Sequence, residues 1–423
     1  MTDEQVNTGH RLVDSCRLCG ANYLLPLIDF GDVPLGNNLQ DTVDKALSAA
    51  AYPLHLNRCG DCGHFQLGHA VEPSLLYATN YTYLSGVGKS FVEHFKKNAF
   101  WAIDRAGLEP RDLVVDIGSN DGTCLKYYQE QGMRVCGVDP ACLPVSIANE
   151  NGIPTMEAFF NADVVTAILK THGPARYVTS HNVLAHVDDL RSTFAGVYDL
   201  LEEGGWFGFE VGYFREVLSH GLFDTIYHEH LDYHHAAPLA RHLTGLGFDL
   251  IELDVTSVQG GSLRLLLKKT GEGRIHDQAK TFLEEESQTI LNDDDFLAGW
   301  INTIQSNMKA LGRLVRGMTG NGKRVVAYGA PTKATLLLRY AGITSTDLQY
   351  VVEDNDLKIG RYLPGSAIPI LPVTKLEEDI PDAIIILAWN FADDILSKLQ
   401  ANTALASSQA IVPLPQITVE GLC

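Results

Sequence analysis

Four of the eight cysteines in this chain fall in two Cys-x-x-Cys pairs, Cys16 with Cys19 and Cys59 with Cys62. Thiolates are soft ligands, and two such turns can offer four sulfurs at the tetrahedral angles zinc takes. In both segments, CRLCG and CGDCG, a glycine follows the second cysteine, which lets the backbone turn tightly and present N–H groups to sulfur. With all four positions filled by sulfur no site stays open for water, so the expected metal is structural. The stretch between the pairs exceeds the usual zinc-ribbon gap and is expected to loop out. A redox role for either pair is the competing explanation. His64 and His69 lie close by and are expected at the surface, outside the metal site.

A second constellation is LVVDIGSNDGTCL. Asp116 ends an apolar run and is followed by Gly118, Asn120, Asp121 and Gly122. A Gly-rich strand-to-helix turn brings a ligand close to the backbone at a helix N-terminus. The spacing D-x-G-x-x-x-G is not the dinucleotide fingerprint, and no phosphate-loop Lys is present. Its acidity suits a cationic sulfonium and an amino acid, which points to S-adenosylmethionine (SAM). Asp139, at the end of VCGVDP, is placed to accept from two ribose hydroxyls. In TSHNVLAHV, Asn182 and Leu184 are expected beside the same cofactor.

The third is GLFDTIYHEHLDYHHAAPL, with Tyr227, His228, Glu229, His230, Tyr233, His234 and His235. A near-neutral imidazole beside a carboxylate and a phenol is what proton abstraction requires. Two plainer explanations compete: a second metal site, since H-x-H alone is unspecific, or surface helix residues without chemistry.

The elements that must position these groups follow from periodicity. Residues 1 to about 75 read as loops and short strands. A tyrosine-rich loop follows at Tyr77, Tyr81 and Tyr83, where Tyr81 and Tyr83 are candidate substrate contacts. An amphipathic helix then carries Phe91, Phe95 and Ala99. From Asp112 the runs LVVDIG, VCGVD, YVTSHNVL and WFGFEV alternate with helical segments, implying a mostly parallel sheet, which GGSLRLLLKK closes. The histidine-rich segment follows WFGFEV and should lie over the carboxyl edge of that sheet, where such sheets bind ligands. Residues from about 275 to 320 read as a helical connector. A second α/β series starts at KRVVAYGAPTKATLLLRYAG and continues through LQYVVEDN, GRYLPG, DAIIILAW and QAIVPLP.

Composition bounds what this assembly can do. Apolar residues make up 45% and charged residues 20% of the chain, as in a soluble globular protein. The net charge of -20 argues against a nucleic-acid backbone as partner, though not against a small anion in a locally basic pocket. No apolar run approaches the roughly 20 residues of a membrane helix, and the polar N-terminus lacks a signal-peptide core. A cytoplasmic protein with no membrane partner is expected.

Taken in order, the two CxxCG knuckles, VVDIGSNDGT, YHEHLDY, GGSLR, VVAYGAPTKATLLL and VEDNDLKIGRYLPG resemble the SAM-dependent sugar C-methyltransferases. Those enzymes act at C3 of nucleotide-linked 4-keto-deoxysugars in deoxysugar biosynthesis. The resemblance covers nearly the whole chain. It implies a class I SAM methyltransferase (Rossmann-like) core at 76–270, a small zinc-binding domain at 1–75, and a C-terminal Rossmann-like α/β domain at 271–423 that helps bind the nucleotide sugar. It also implies that His230 is the base, with Tyr227 and Glu229 alongside and His186 assisting. In YGAPTKA the chain departs from the family at Pro331 and Thr332, where small residues are usual. Lys333 supplies a positive charge at a helix N-terminus, and Arg361 and Tyr362 are placed to reach a nucleotide. A C-terminal half without a ligand is the alternative there. Two other functions compete: an O- or N-methyltransferase on a related sugar or metabolite, and a zinc-dependent binding module with a vestigial SAM fold.

Overall fold

The computed structural model describes residues 9–77 and 84–422, so Tyr81 and Tyr83 lie outside the described residues. The central sheet has seven strands in the spatial order Phe248–Thr256, Ser262–Lys269, Leu201–Gly212, Ala175–His181, Leu113–Ile117, Arg134–Asp139 and Thr155–Glu157. The last five run parallel, and Ser262–Lys269 is antiparallel to both its neighbours. Leu113–Ile117, in the middle, is buried at every position, which is why it reads as a continuous apolar run. The edge strand Phe248–Thr256 was not among the expected strands. Its sequence FDLIELDVT interleaves acids with aliphatics, and only antiparallel pairing to Ser262–Lys269 makes it a strand.

The N-terminal unit departs from the expectation of loops and short strands. Residues 20–58 do not loop out: they carry the long strands Leu24–Pro34 and Ala51–Cys59, paired antiparallel, with the helix Val43–Leu47 between them. Phe65–Leu67 adds a third strand, and the fourth, Asp232–Tyr233, comes from far along the chain. His64 is likewise not at the surface. It is fully buried, and its Nε2 lies 2.8 Å from Asp232 Oδ1.

The C-terminal sheet has six strands in the order Ile370–Pro372, Val351–Glu353, Val325–Tyr328, Ala383–Ile386, Gln409–Val412 and Thr418–Gly421. All are parallel except the last. The connector is two helices, Asp277–Ser287 and Asp294–Gly320. The longer one buries Leu297, Trp300, Ile304, Met308, Leu311 and Val315, a single stripe at helical spacing. No helix among the described residues is long and apolar enough to cross a membrane.

The shorter connector helix carries a buried charge that orders its surroundings. Glu286 accepts the backbone N–H groups of Ala236 (2.8 Å) and Ala237 (2.7 Å), capping the helix Ala236–Gly245, and it also accepts the Tyr213 hydroxyl (2.7 Å). Burial raises its pKa, but His235, these amides and Tyr213 outweigh burial and hold it below the usual carboxylate range. A carboxyl depressed on folding stabilises the fold at neutral pH and stops doing so as pH falls through its folded pKa. Glu286→Gln turns an N–H₂ group towards those donors and should cost about 3 kcal/mol at neutral pH. Urea unfolding should show this loss shrinking at acid pH, where Glu286 is protonated in the parent as well.

Candidate active site

The segment 225–235 is held from both sides. Leu231 donates its N–H to Ala185 O (2.7 Å) and accepts from Leu67 N (2.8 Å). Asp232 and Tyr233 pair with Gln66 and Phe65. Four of its residues, His228, Glu229, His234 and His235, are at most 5% exposed, so this is not a surface helix. Among the described residues the one convergent group of metal-ligating side chains is the four cysteines, which leaves the histidine segment without a metal cluster.

Within this loop the geometry fixes a tautomer. His230 Nδ1 lies 2.9 Å from the Thr225 carbonyl, which can only accept, so Nδ1 carries the proton. Nε2 is then the acceptor, and the Tyr227 hydroxyl donates to it at 2.9 Å. The His186 ring lies edge-on to His230, 4.9 Å between centroids, and its Nδ1 is 2.6 Å from Glu229 O. Burial, then His186, push His230 down to about 3. The imidazole is therefore wholly neutral at physiological pH rather than partly so. Burial pushes Glu229 the other way, up to about 7. Its Oε1 accepts from Asn37 Nδ2 (3.2 Å), while Oε2 is buried with no partner among the described residues.

The Gly-rich turn lies at the carboxyl end of Leu113–Ile117. Gly118 has φ +73° and no room for a Cβ, which would meet Val183 Cγ2 at 2.2 Å. A small cavity there is lined by Ser85, Phe95, Asp116, Gly118, Ser119, Cys124 and His181. Asp116 Oδ1, Ser119 Oγ and Asn182 Oδ1 are buried without partners among the described residues, and burial pushes Asp116 up to about 7. Buried acceptors left open in this way suit a cationic ligand, as SAM is. Other residues expected here already have structural partners. Asn120 Oδ1 accepts from Ser85 N (2.9 Å) and Asp121 Oδ2 from Gly86 N (2.8 Å), tying the entry to the helix Lys89–Ala106 onto the turn. Gly122, φ +78°, starts the helix Thr123–Glu130. Asp139 accepts from Asn120 N (3.0 Å) and Ala141 N (2.8 Å), leaving each oxygen one further lone pair for a ribose hydroxyl. Leu184 is fully buried in the core, so only its backbone is available.

The four cysteine sulfurs lie within 4.8 Å of one another, with Cys16–Cys62 at 3.7 Å and Cys19–Cys59 at 3.6 Å. A tetrahedron with metal–sulfur bonds of about 2.3 Å has edges of about 3.8 Å, so the cluster fits zinc. The Cys16–Cys62 hydrogen bond lowers Cys16 and raises Cys62, so the two thiols share one proton, as closely packed sulfurs without a cation must. Gly20 and Gly63 take φ of +80° and +83°, the turns the sequence required of them.

The C-terminal candidates are spread out. Lys333 is not the free positive charge expected: its Nζ lies 3.3 Å from buried Asp224 and 4.0 Å from the centroid of the Trp389 ring, whose Nε1 donates to the same carboxylate. The Ala330 N–H is taken by Glu353 (2.8 Å). Tyr362 exchanges backbone hydrogen bonds with Gln40, and Arg361 lies 3.8 Å from Asp41, so GRYLPG docks on the N-terminal unit.

Sequence reasoning missed several residues the structure brings to the site. Asn37 joins Glu229 to Thr332. Arg17, between two cysteines, reaches Asp188 (3.0 Å) and the Leu67 carbonyl (2.9 Å). His94 and His181 lie 2.6 and 3.5 Å from buried Glu210, beneath the SAM turn. None sits in a recognisable spacing; Asn37, next to Gly36 in a polar turn, gave the only local signal.

Comparison with known proteins agrees with this arrangement. Three family models match in order: "Putative zinc binding domain" at 16–77, "Methyltransferase domain" at 91–253 and "C-methyltransferase C-terminal domain" at 257–415. C-methyltransferase NovU of Streptomyces niveus is 33% identical over 412 residues, 96% of each chain. Among solved structures, the SAM-bound magnesium protoporphyrin IX methyltransferase of Synechocystis PCC 6803 is 16% identical with a TM-score of 0.33, over 42% of this chain and 79% of that one. A "putative S-adenosylmethionine dependent methyltransferase" of Listeria monocytogenes is 13% identical with a TM-score of 0.33, over 41% of this chain and 98% of that one. With its class I methyltransferase sheet and four-sulfur metal site, the chain belongs to the SAM-dependent C-methyltransferase family that includes NovU.

Proposed function

We propose that the chain methylates C3 of a nucleoside-diphosphate 4-keto-deoxysugar, with His230 as base. The observation that carries this is the half-buried Tyr227–His230 pair: an imidazole fixed in its neutral tautomer, its lone pair covered by a phenol. A C–H α to a ketone is acidic enough for such a base once the enolate oxygen is stabilised. Substrate takes the Tyr227 hydroxyl onto its C4 oxygen, which frees Nε2 for the C3 proton. The C3–H bond breaks, its electron pair forms the enolate, and the proton resides on Nε2. His186, its ring centroid 4.9 Å away, then faces the new imidazolium, and Glu229 is the neighbouring carboxyl in the same loop. Bound SAM supplies the electrophilic methyl group. Asp116, Gly118, Asp139 and Asn182 hold it, with Asn120, Asp121, Gly122 and Leu184 shaping the turn. In this reading Arg361 and Tyr362 act from the docked GRYLPG turn, and Lys333 binds a diphosphate only by exchanging Asp224 for it. The site is expected to serve a small-molecule substrate in the cytoplasm, within three domains at 1–75, 76–270 and 271–423. Methylation of oxygen or nitrogen would need none of this carbon-acid chemistry, and the family membership leaves no room for a vestigial binding module.

Purified protein should contain about one zinc per chain in four-sulfur coordination. Cys16→Ser should lose it and lower stability well before it changes SAM affinity. Asp139→Ala should weaken SAM binding by about 1–3 kcal/mol in calorimetry, since it removes the ribose acceptor and releases the Asn120 N–H together. His230→Ala should cut kcat about 100- to 10,000-fold with SAM affinity nearly unchanged. The C3 proton of a 4-keto sugar nucleotide should exchange with D₂O in the parent and not in this variant. Exchange that survives in His230→Ala but not in His228→Ala would move the base two residues back.

A further inference from the structure

Asn37 joins residues from three parts of the chain, and beyond its place beside Gly36 in a polar turn nothing in its local sequence marks it as part of a site. Its Nδ2 donates to Glu229 Oε1 at 3.2 Å, and its Oδ1 accepts from the Thr332 hydroxyl at 2.5 Å. Each polar atom of the amide thus has one partner from a different part of the chain, which fixes which way the amide is flipped. The neighbouring backbone is just as constrained. A Cβ on Gly36 would meet Thr332 O at 2.1 Å, so the turn at 36–37 rests directly on the turn at 331–332. The connection runs from Thr332, through Asn37, to a carboxylate one residue from His230.

We infer that Asn37 is a positioning residue, which orients Glu229 and holds it as a carboxylate in register with the Pro331–Thr332 turn. The inference rests on the reading above that places Glu229 in the reacting site. The physical reason is the desolvation of Glu229. In a buried site a carboxylate needs donors, and against burial the charged form of Glu229 is favoured by its own backbone N–H and then by the Asn37 amide, its one side-chain donor among the described residues. Protonated, Glu229 would offer nothing to an imidazolium forming on His230. Of the titratable groups near it, Tyr233 feels its charge and His186 bonds its backbone carbonyl, while His228 and His230 are its neighbours in the loop. Across the boundary the Asn37 and Thr332 side chains are neutral, and the nearby ammonium of Lys333 is paired with Asp224. The carboxylate selects the orientation: ionised, it can only accept, so it takes Nδ2, and the Thr332 hydroxyl, which can donate or accept, gives its proton to Oδ1.

The test is a set of variants assayed with a 4-keto sugar nucleotide and SAM across neutral pH. Asn37→Asp keeps the shape and the acceptor for Thr332 but replaces the donor with a second carboxylate. The acid limb of kcat should then move up by about one pH unit or more. Asn37→Ala should lower kcat about 10- to 100-fold with SAM affinity unchanged, Thr332→Val should reproduce part of that loss, and Thr332→Ser should restore it. The Asn37→Ala and Thr332→Val effects should be less than additive, since both break one connection. Infrared difference spectra of the SAM-bound protein, with Glu229→Gln as the blank, should show the Glu229 carboxyl band titrating higher in Asn37→Asp. That measurement needs no substrate, so it stands even if the keto-sugar assignment fails. An unshifted band and pH limb in Asn37→Asp, or equal losses in both Asn37 variants without a shift, would overturn the inference.

Discussion

The two-residue strand Asp232–Tyr233 belongs by sequence to the methyltransferase segment and by hydrogen bonding to the N-terminal sheet. Immediately before it, Leu231 is bonded to Ala185 on one side and Leu67 on the other. The position of Tyr227, Glu229 and His230 therefore depends on how two sheets are docked. A register slip of one residue would turn Tyr233 and Asp232 to the opposite faces and carry the loop with them. The metal site enters through the same contact. Arg17, inside the first knuckle, is bonded to Asp188 and to the carbonyls of Leu67 and Leu231, so the sulfur cluster positions chemistry it never touches.

Burial makes His230 a neutral acceptor and brings Glu229 and Asp116 close to neutrality. A carboxylate without partners in such a place is costly, and the cost is offset when a cation or a donor arrives. Asp116 lines a small cavity at the Gly-rich turn, whereas Glu229 has the Asn37 amide. Two acids in one domain are thus tuned by the same physics for different neighbours. Beneath the cofactor turn, Glu210 is held ionised between His94 and His181 despite complete burial, which ties the helix Lys89–Ala106 to the sheet.

The C-terminal sheet meets the site through surfaces already neutralised within the protein. Lys333 is paired with Asp224 and stacked on Trp389, and the Ala330 N–H is bonded to Glu353. The turn at 331–332 instead contributes shape, pressed against Gly36 and hydrogen-bonded to Asn37.

Much of this was legible in the chain itself. The four cysteines and the glycines after them specify a tetrahedral cluster locally, because Cys-x-x-Cys-Gly is a self-contained turn. The apolar runs around Asp116, Asp139 and Asn182 specify a parallel sheet, because buried strands must be apolar on both faces. The histidine-rich segment announced itself by composition. What the sequence left open were the contacts between units: the long hairpin at 24–59, the buried His64–Asp232 pair, the ion pair that occupies Lys333, and the Asn37 connection. These join residues far apart in the chain, and no local periodicity or spacing encodes such partners. Nor could it give the protonation of His230, an imidazole whose tautomer is set by the Thr225 carbonyl and the Tyr227 hydroxyl and whose basicity is lowered by partial burial beside His186, contacts that exist only once the loop is folded in place.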